Sequence, residues 1–203
     1  MPLLPPEPFV FPGELLLQPR PAIPEEGWWV LHTRPRAEKS LARRTLASGL
    51  PFFLPLHKKQ WRKGGRLFTS HVPLFPGYFF LHGGPETRLK ALQTNLVAQT
   101  IPVVDQERLH EDLRRVFHLI ASELPLAPEP RLQPGDPVEV VAGPLTGLQG
   151  KVLARGKRLT FVIEVQLLQQ GVSVELEPWM VQPLPAERKT VTERQLFCTP
   201  QIV

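Results

Sequence analysis

Proline sets the plan of this chain. Of its 25 prolines, eight fall in residues 1–26 and four fall between Leu124 and Gly135. Proline locks φ, lacks a backbone N–H and interrupts the helical hydrogen-bond ladder. No continuous helix crosses either cluster without interruption, which disfavours a single all-helical fold. Residues 1–26 read as a Pro-rich arm, mostly extended or disordered. Residues 123–133 read as a stiff linker. They separate a block at 27–122 from a second at 134–185, and 186–203 reads as a loose tail. With 42% hydrophobic residues, both blocks can build cores.

The first block mixes both regular structures. Trp28–His32, Phe52–Leu56, Tyr78–Leu81 and Val97–Val104 have strand character. Pro35–Gly49 reads as a helix with proline near its start and glycine at its end. A short helix is expected over Glu86–Leu92. The strongest periodicity lies in 105–122, where Leu109, Leu113, Val116, Phe117 and Ile120 form one apolar stripe. Asp105 is its expected N-cap, and Glu111 and Arg115 are spaced to pair. Between Lys58 and His71, the Gly64-Gly65 pair predicts a tight hairpin turn. The second block holds about five short strands cut by glycines, the pattern of a small barrel. The fold class is therefore α+β: an antiparallel sheet flanked by helices, a linker, then a small SH3-like barrel.

Charge is unevenly spread. Residues 28–71 carry ten basic residues and one acid, Glu38, while the whole chain is only +5. Such a concentration attracts polyanions such as nucleic acid. The basic residues fall on the first helix and its approach (Arg34, Arg36, Lys39, Arg43) and on the hairpin (Lys58, Lys59, Arg62, Lys63, Arg66), with Trp61 among the latter. An aromatic ring between cations can stack on an unpaired base. One cysteine, Cys198, can form neither an internal disulfide nor a zinc cluster, and a reducing cytoplasmic setting fits it. No run approaches the roughly 20 apolar residues of a membrane span, and the N-terminus lacks the early basic region of a signal peptide.

Catalytic signatures are missing. Lys151 after Gly150 suggests a phosphate loop, but Leu145 stands where its first glycine belongs and Val152 where Ser or Thr belongs. There is no Gly-x-Ser-x-Gly elbow, and no histidines stand at i, i+4 ligand spacing. The chain is expected to be no enzyme and to need no metal or other cofactor.

Two segments carry a resemblance. Gly135-Asp-Pro-Val-Glu-Val-Val-Ala-Gly-Pro-Leu-Thr-Gly-Leu-Gln-Gly-Lys-Val152 resembles a KOW motif, with Gly143, Gly147 and Gly150 as its turn glycines. Trp28-Trp-Val-Leu-His-Thr-Arg-Pro-Arg-Ala-Glu-Lys39 and Pro73-Leu-Phe-Pro-Gly-Tyr-Phe-Phe-Leu81 are similar to the opening and the central strand of the NusG N-terminal domain. Their order, with Phe52–Leu56, the helix at 105–122 and a following barrel, resembles the NusG family over about 28–184. The basic hairpin Lys58–Arg66 is similar to the specialised RfaH-like branch, although no His-Thr-Thr run stands near Arg88-Leu89-Lys90.

The resemblance implies a cytoplasmic, monomeric transcription elongation and antitermination factor. Its N-terminal domain would grip the clamp coiled coil of RNA polymerase through His32, Tyr78, Phe80 and Val97. Its cations would meet non-template DNA or nascent RNA. Its barrel would recruit a small-subunit ribosomal protein or a termination factor. Glycines and prolines such as Gly143, Pro144 and Gly171 favour a constitutive barrel over a helical alternative. A ribosome- or RNA-binding KOW protein without polymerase activity is the competing reading.

Overall fold

The computed structural model describes residues 8–17, 26–129, 131, 135–155 and 158–184. In chain order the elements are β1 (Val10–Phe11), β2 (Gly27–Thr33), α1 (Glu38–Ala47), β3 (Phe52–Phe53), β4 (Leu56–Lys63), β5 (Arg66–Pro73), β6 (Tyr78–Gly83), α2 (Pro85–Leu92), β7 (Val97–Ile101), α3 (Gln106–Ala121), β8 (Ala127–Glu129), β9 (Asp136–Val140), β10 (Gln149–Arg155), β11 (Arg158–Val165), β12 (Gln170–Leu176) and β13 (Val181–Pro183). The α+β expectation holds.

The first sheet runs β1-β3-β6-β2-β7, with every pair antiparallel. Strand alternation gives it two apolar faces. Leu31, Phe52, Phe79 and Leu81 are buried in one cluster with Leu41 and Ala42 of α1 and Ala91 of α2. Trp28, Val30, Phe53 and Phe80 point the other way and share a core with Leu109, Leu113, Val116 and Leu119 of α3. The predicted stripe of α3 is therefore correct, and Leu119 extends it. Asp105 accepts from Arg108 N–H at 2.9 Å, so the predicted N-cap forms. Glu111 contacts both Arg115 (3.5 Å) and Arg114 (2.9 Å).

At the start of β2 the neighbour β7 has already ended, since their pairing stops at Val30↔Ile101. The side chain of Gln106 stands in for it. Its Oε1 accepts from Trp28 N–H (2.6 Å) and its Nε2 donates to the Trp28 carbonyl (3.1 Å). The Trp28 indole N–H donates to His110 Nδ1 at 3.1 Å. These bonds satisfy backbone and indole groups that would otherwise be costly to bury.

The second sheet runs β13-β9-β10-β11-β12-β8. It shares one buried cluster with α3: Val138, Val140, Phe161, Ile163 and Val165 join the residues of the α3 face. A 3₁₀ turn at Gln166–Leu168 meets the helix directly, for Gln166 N–H donates to Asp112 Oδ2 at 3.2 Å. Asp112 is 1% exposed. Arg108 Nε lies 3.4 Å from its Oδ1, close enough for charge attraction but not aligned as a hydrogen bond.

Burial raises the Asp112 pKa above its ordinary value, against the lowering effects of the Gln166 amide and of Arg108 and Arg115. A carboxyl with a raised folded-state pKa binds more protons folded than unfolded, so its contribution to stability is lost as pH rises through that raised value. Asp112→Asn abolishes this titration. The stability of the variant relative to the unmodified chain is therefore expected to improve between about pH 4 and about pH 7. Paired thermal melts at the two pH values check the sign, and a relative stability that falls instead contradicts it.

Two sequence expectations need correction. Part of the arm is ordered structure: Val10 and Phe11 pair with Phe53 and Phe52, and Leu16 is wholly buried. Its apolar residues find a sheet edge and a core, which outweighs the proline content around them. Part of the linker is a strand: Ala127–Glu129 pair with Ser173–Gly171 of β12. Pro128 is tolerated there because β8 is an edge strand. The expected tail at 186–203 lies outside the described residues.

Candidate functional site

The β4–β5 hairpin forms its own two-stranded sheet, separate from the other two. Both turn glycines have positive φ, +58° at Gly64 and +75° at Gly65. That conformation matches the right-handed twist of the strands it joins and suits glycine best. The turn sets the register: Lys63↔Arg66, Arg62↔Leu67, Trp61↔Phe68, Gln60↔Thr69, Lys59↔Ser70 and Lys58↔His71.

Trp61 therefore faces Phe68. Their rings stack at 5.8 Å and 16°. Trp61 is 43% exposed, Phe68 41% and Leu67 60%. Lys59 and Arg66 lie two positions away on the same side of the ribbon as the stacked pair, while Arg62 and Lys58 project from the other. The side chain of Lys63 lies outside the described ones. Lys58, Lys59, Arg62 and Arg66 are exposed. His57 adds little charge, because burial, with Lys59 and His71 close by, pushes its pKa below the usual imidazole value. Phe68 was missed in the sequence reading. Counting outward from Gly64-Gly65 would have paired it with Trp61.

The second basic group sits on a different element. Arg34 and Arg36 precede α1, with Arg36 at φ +61°, and Lys39 and Arg43 lie on the helix. Arg34, Arg36 and Arg43 are exposed and Lys39 is half-buried.

Two of the predicted docking residues, His32 and Tyr78, meet at the β2–β6 corner, whereas Val97 lies on β7 opposite Thr33 and packs on the other face of the sheet. His32 and Tyr78 pair across the strands with their rings edge-on at 5.4 Å. The Pro73–Gly77 loop is tied down beside them: Gly77 N–H donates to Glu38 Oε1 (2.8 Å) and Thr33 N–H donates to the Gly77 carbonyl (2.8 Å). Gly77 has φ +84°, and a Cβ there would approach His32 Nε2 to 3.2 Å. His32 is exposed, and Tyr78 and Val97 are half-buried. Phe80 is 0% exposed. Its reading as a surface anchor needs correction, since it packs edge-on to Phe75 and near Phe53 within the core.

The three glycines of the KOW-like segment differ in role. Gly143 and Gly147 both have φ +85° and form the predicted turn, closed by Gly147 N–H donating to the Val140 carbonyl at 2.7 Å. Gly150 lies in β10, opposite Val138. It needs to be glycine for space: a Cβ would come within 2.7 Å of the Val162 carbonyl oxygen and 2.8 Å of the Phe161 ring. Lys151 pairs with Glu164 at 2.8 Å, a structural ion pair within the second sheet. Beside β12 lies a cleft of about 850 Å³ with Leu126, Leu176 and Met180 in its wall and Glu129, Glu175 and Glu177 around it. Trp179, 68% exposed, stands next to these residues in the chain.

Residues 26–121 match the sequence model of the family described as transcription termination factor NusG. This stretch is a NusG-family domain. The structure is similar to Thermotoga maritima NusG, described for its domain interaction, at 17% identity. That likeness covers 79% of this chain and 98% of the other, with a TM-score of 0.48. It is also similar to a chain of the MjSpt4:Spt5 complex, again at 17% identity, covering 77% and 96% with a TM-score of 0.26. No curated protein matches the chain. Among the described residues, no helix is long and apolar enough to cross a membrane.

Proposed function

We propose that this NusG-family protein is a non-catalytic elongation factor that binds RNA polymerase through its N-terminal domain and suppresses pausing or termination. The corner formed by His32 and Tyr78 is the part of the predicted docking surface that is reachable on that face of the sheet. The observation that carries the nucleic-acid half of the reading is the hairpin: an exposed, stacked Trp61–Phe68 pair flanked by exposed cations. Cations neutralise phosphates, and the ring pair offers a face to an unpaired base of non-template DNA or nascent RNA.

The barrel recruits a second partner. The cleft beside β12 has apolar walls and three carboxylates around it, with Trp179 close by, which suits a basic segment of a ribosomal or termination protein. Aromatic anchors of this kind supply much of the energy of an interface.

Core polymerase with and without its clamp coiled coil, incubated with the tagged full chain, tests the first half. Capture that requires the coiled coil supports the reading. Capture of ribosomal particles alone favours the RNA-binding alternative. For the hairpin, Arg62→Ala with Lys63→Ala is expected to weaken both DNA binding and the effect on pausing. A double variant that pauses and binds as the unmodified chain does removes the hairpin from the mechanism.

A further inference from the structure

We propose that a cleft at the root of the β4–β5 hairpin holds one unpaired nucleotide, with its base inside and its phosphate on Lys58. This rests on the nucleic-acid reading of the hairpin above and adds a second base site, apart from the Trp61–Phe68 pair. The cleft has a volume of about 740 Å³. Small-ligand sites commonly span about 300–1,000 Å³. Its apolar lining comes from Leu56 of β4, Phe9 of the arm, Ile120 at the end of α3, and Leu124 and Leu126 just beyond it. Lys58, Gln60 and His71 line the same cleft. The strand register puts these three on one side of the ribbon, with Arg62, and the stacked rings on the other.

The chemistry of the lining selects the occupant. A lipid chain or an aliphatic peptide would match the apolar residues but leave Gln60, His57 and Glu123 facing hydrocarbon, which is costly. A base meets both demands, because it has apolar faces and an edge of donors and acceptors. The Gln60 amide can serve such an edge: its Nε2 reaches Thr69 Oγ1 only at 3.5 Å, a weak bond to give up. His57 can do the same. Its lowered pKa keeps it neutral, and a neutral imidazole both donates and accepts. The Glu123 carboxylate suits a base amino group, such as that of cytosine. Charge then brings a polyanion to this place, since Lys58, Lys59 and Arg62 are exposed cations. Lys58 and Arg62 stand about 14 Å apart along β4. A phosphate backbone that follows this row passes the cleft, and one base turns in.

The test uses the full chain, a single strand of cytosines, an abasic strand of the same length, and cytidine monophosphate. Ala121 lines the cleft and is itself exposed, so Ala121→Trp fills the cleft without entering a core. It is expected to lower the ratio of affinities, cytosine strand over abasic strand, about tenfold, the effect of one stacked base. Gln60→Ala, on an exposed stretch of β4, is expected to lower the same ratio about threefold. Neither removes a cation, so the salt dependence stays as it was. Cytidine monophosphate that binds the unmodified chain and not Ala121→Trp supports the cleft with a free nucleotide as its ligand. Loss of the ratio without any binding of the mononucleotide supports it with a strand as the source. A ratio unchanged in both variants overturns the cleft and leaves the hairpin reading intact. If Ala121→Trp does not fold, the ratio in Gln60→Ala decides alone. An unmodified chain that binds neither strand takes down both readings together.

Discussion

Gly150→Val is expected to destabilise the second sheet and its core by about 3 kcal/mol, the upper range for forcing extra methylenes into a packed core. Two of the atoms a Cβ would meet belong to the Phe161 ring, which is wholly buried, and the third is the Val162 carbonyl oxygen of β11. Neither can move freely: β11 is paired along its length with β10 on one side and β12 on the other. Gly147→Ala makes the matched control. Its φ of +85° strains any side chain, but nothing lies within 4 Å of the added atom. Its cost should be confined to backbone strain, about 1–2 kcal/mol. Urea unfolding followed by hydrogen exchange in β10–β12 separates the two. A Gly150→Val variant within about 0.5 kcal/mol of the original would show that the contact does not limit packing, since ordinary surface changes fall in that range.

This pair of glycines shows what could be read from the sequence and what could not. A glycine-rich turn was legible because turn chemistry is local, and Gly143 and Gly147 do turn the chain. Gly150 was seen, but its reason was hidden, because the approach of Phe161 depends on the register between β10 and β11, which no residue pattern marked. The same division holds elsewhere. The stripe of α3 was visible at helical spacing, yet its burial between two sheets was not, since Asp112 and Gln166 meet only through the tertiary fold. The arm and the linker were read from proline content, which reports backbone stiffness and says little about burial. Leu16 and Ala127–Glu129 are placed by a core and a sheet edge built elsewhere. Phe80 was assigned to the docking surface as an aromatic anchor alongside Tyr78. Alternation places it on the same face as Tyr78, and what lies over that face decides whether it is exposed.

Replacing Lys58, Lys59, Arg62 and Arg66 together with alanine is expected to flatten the salt dependence of nucleic-acid binding. Each phosphate contact contributes about 0.7 to the log–log slope on a single strand, so four contacts contribute about 3. Over a fourfold rise in salt, the unmodified chain should then lose about fiftyfold more affinity than the variant. The four side chains are exposed on a hairpin that forms its own sheet, so the folded cores should survive their loss. Trp61→Ala with Phe68→Ala separates stacking from charge. It removes the ring pair, worth roughly 1–3 kcal/mol for each stacked base, and leaves the salt slope unchanged. Its effect should appear on single strands and vanish on duplex, where no base face is free. A slope that stays steep in the fourfold variant would move the phosphate contacts to Arg34, Arg36, Lys39 and Arg43. The hairpin would then act through its aromatic pair alone, and its cations would serve only to keep an exposed apolar ribbon soluble.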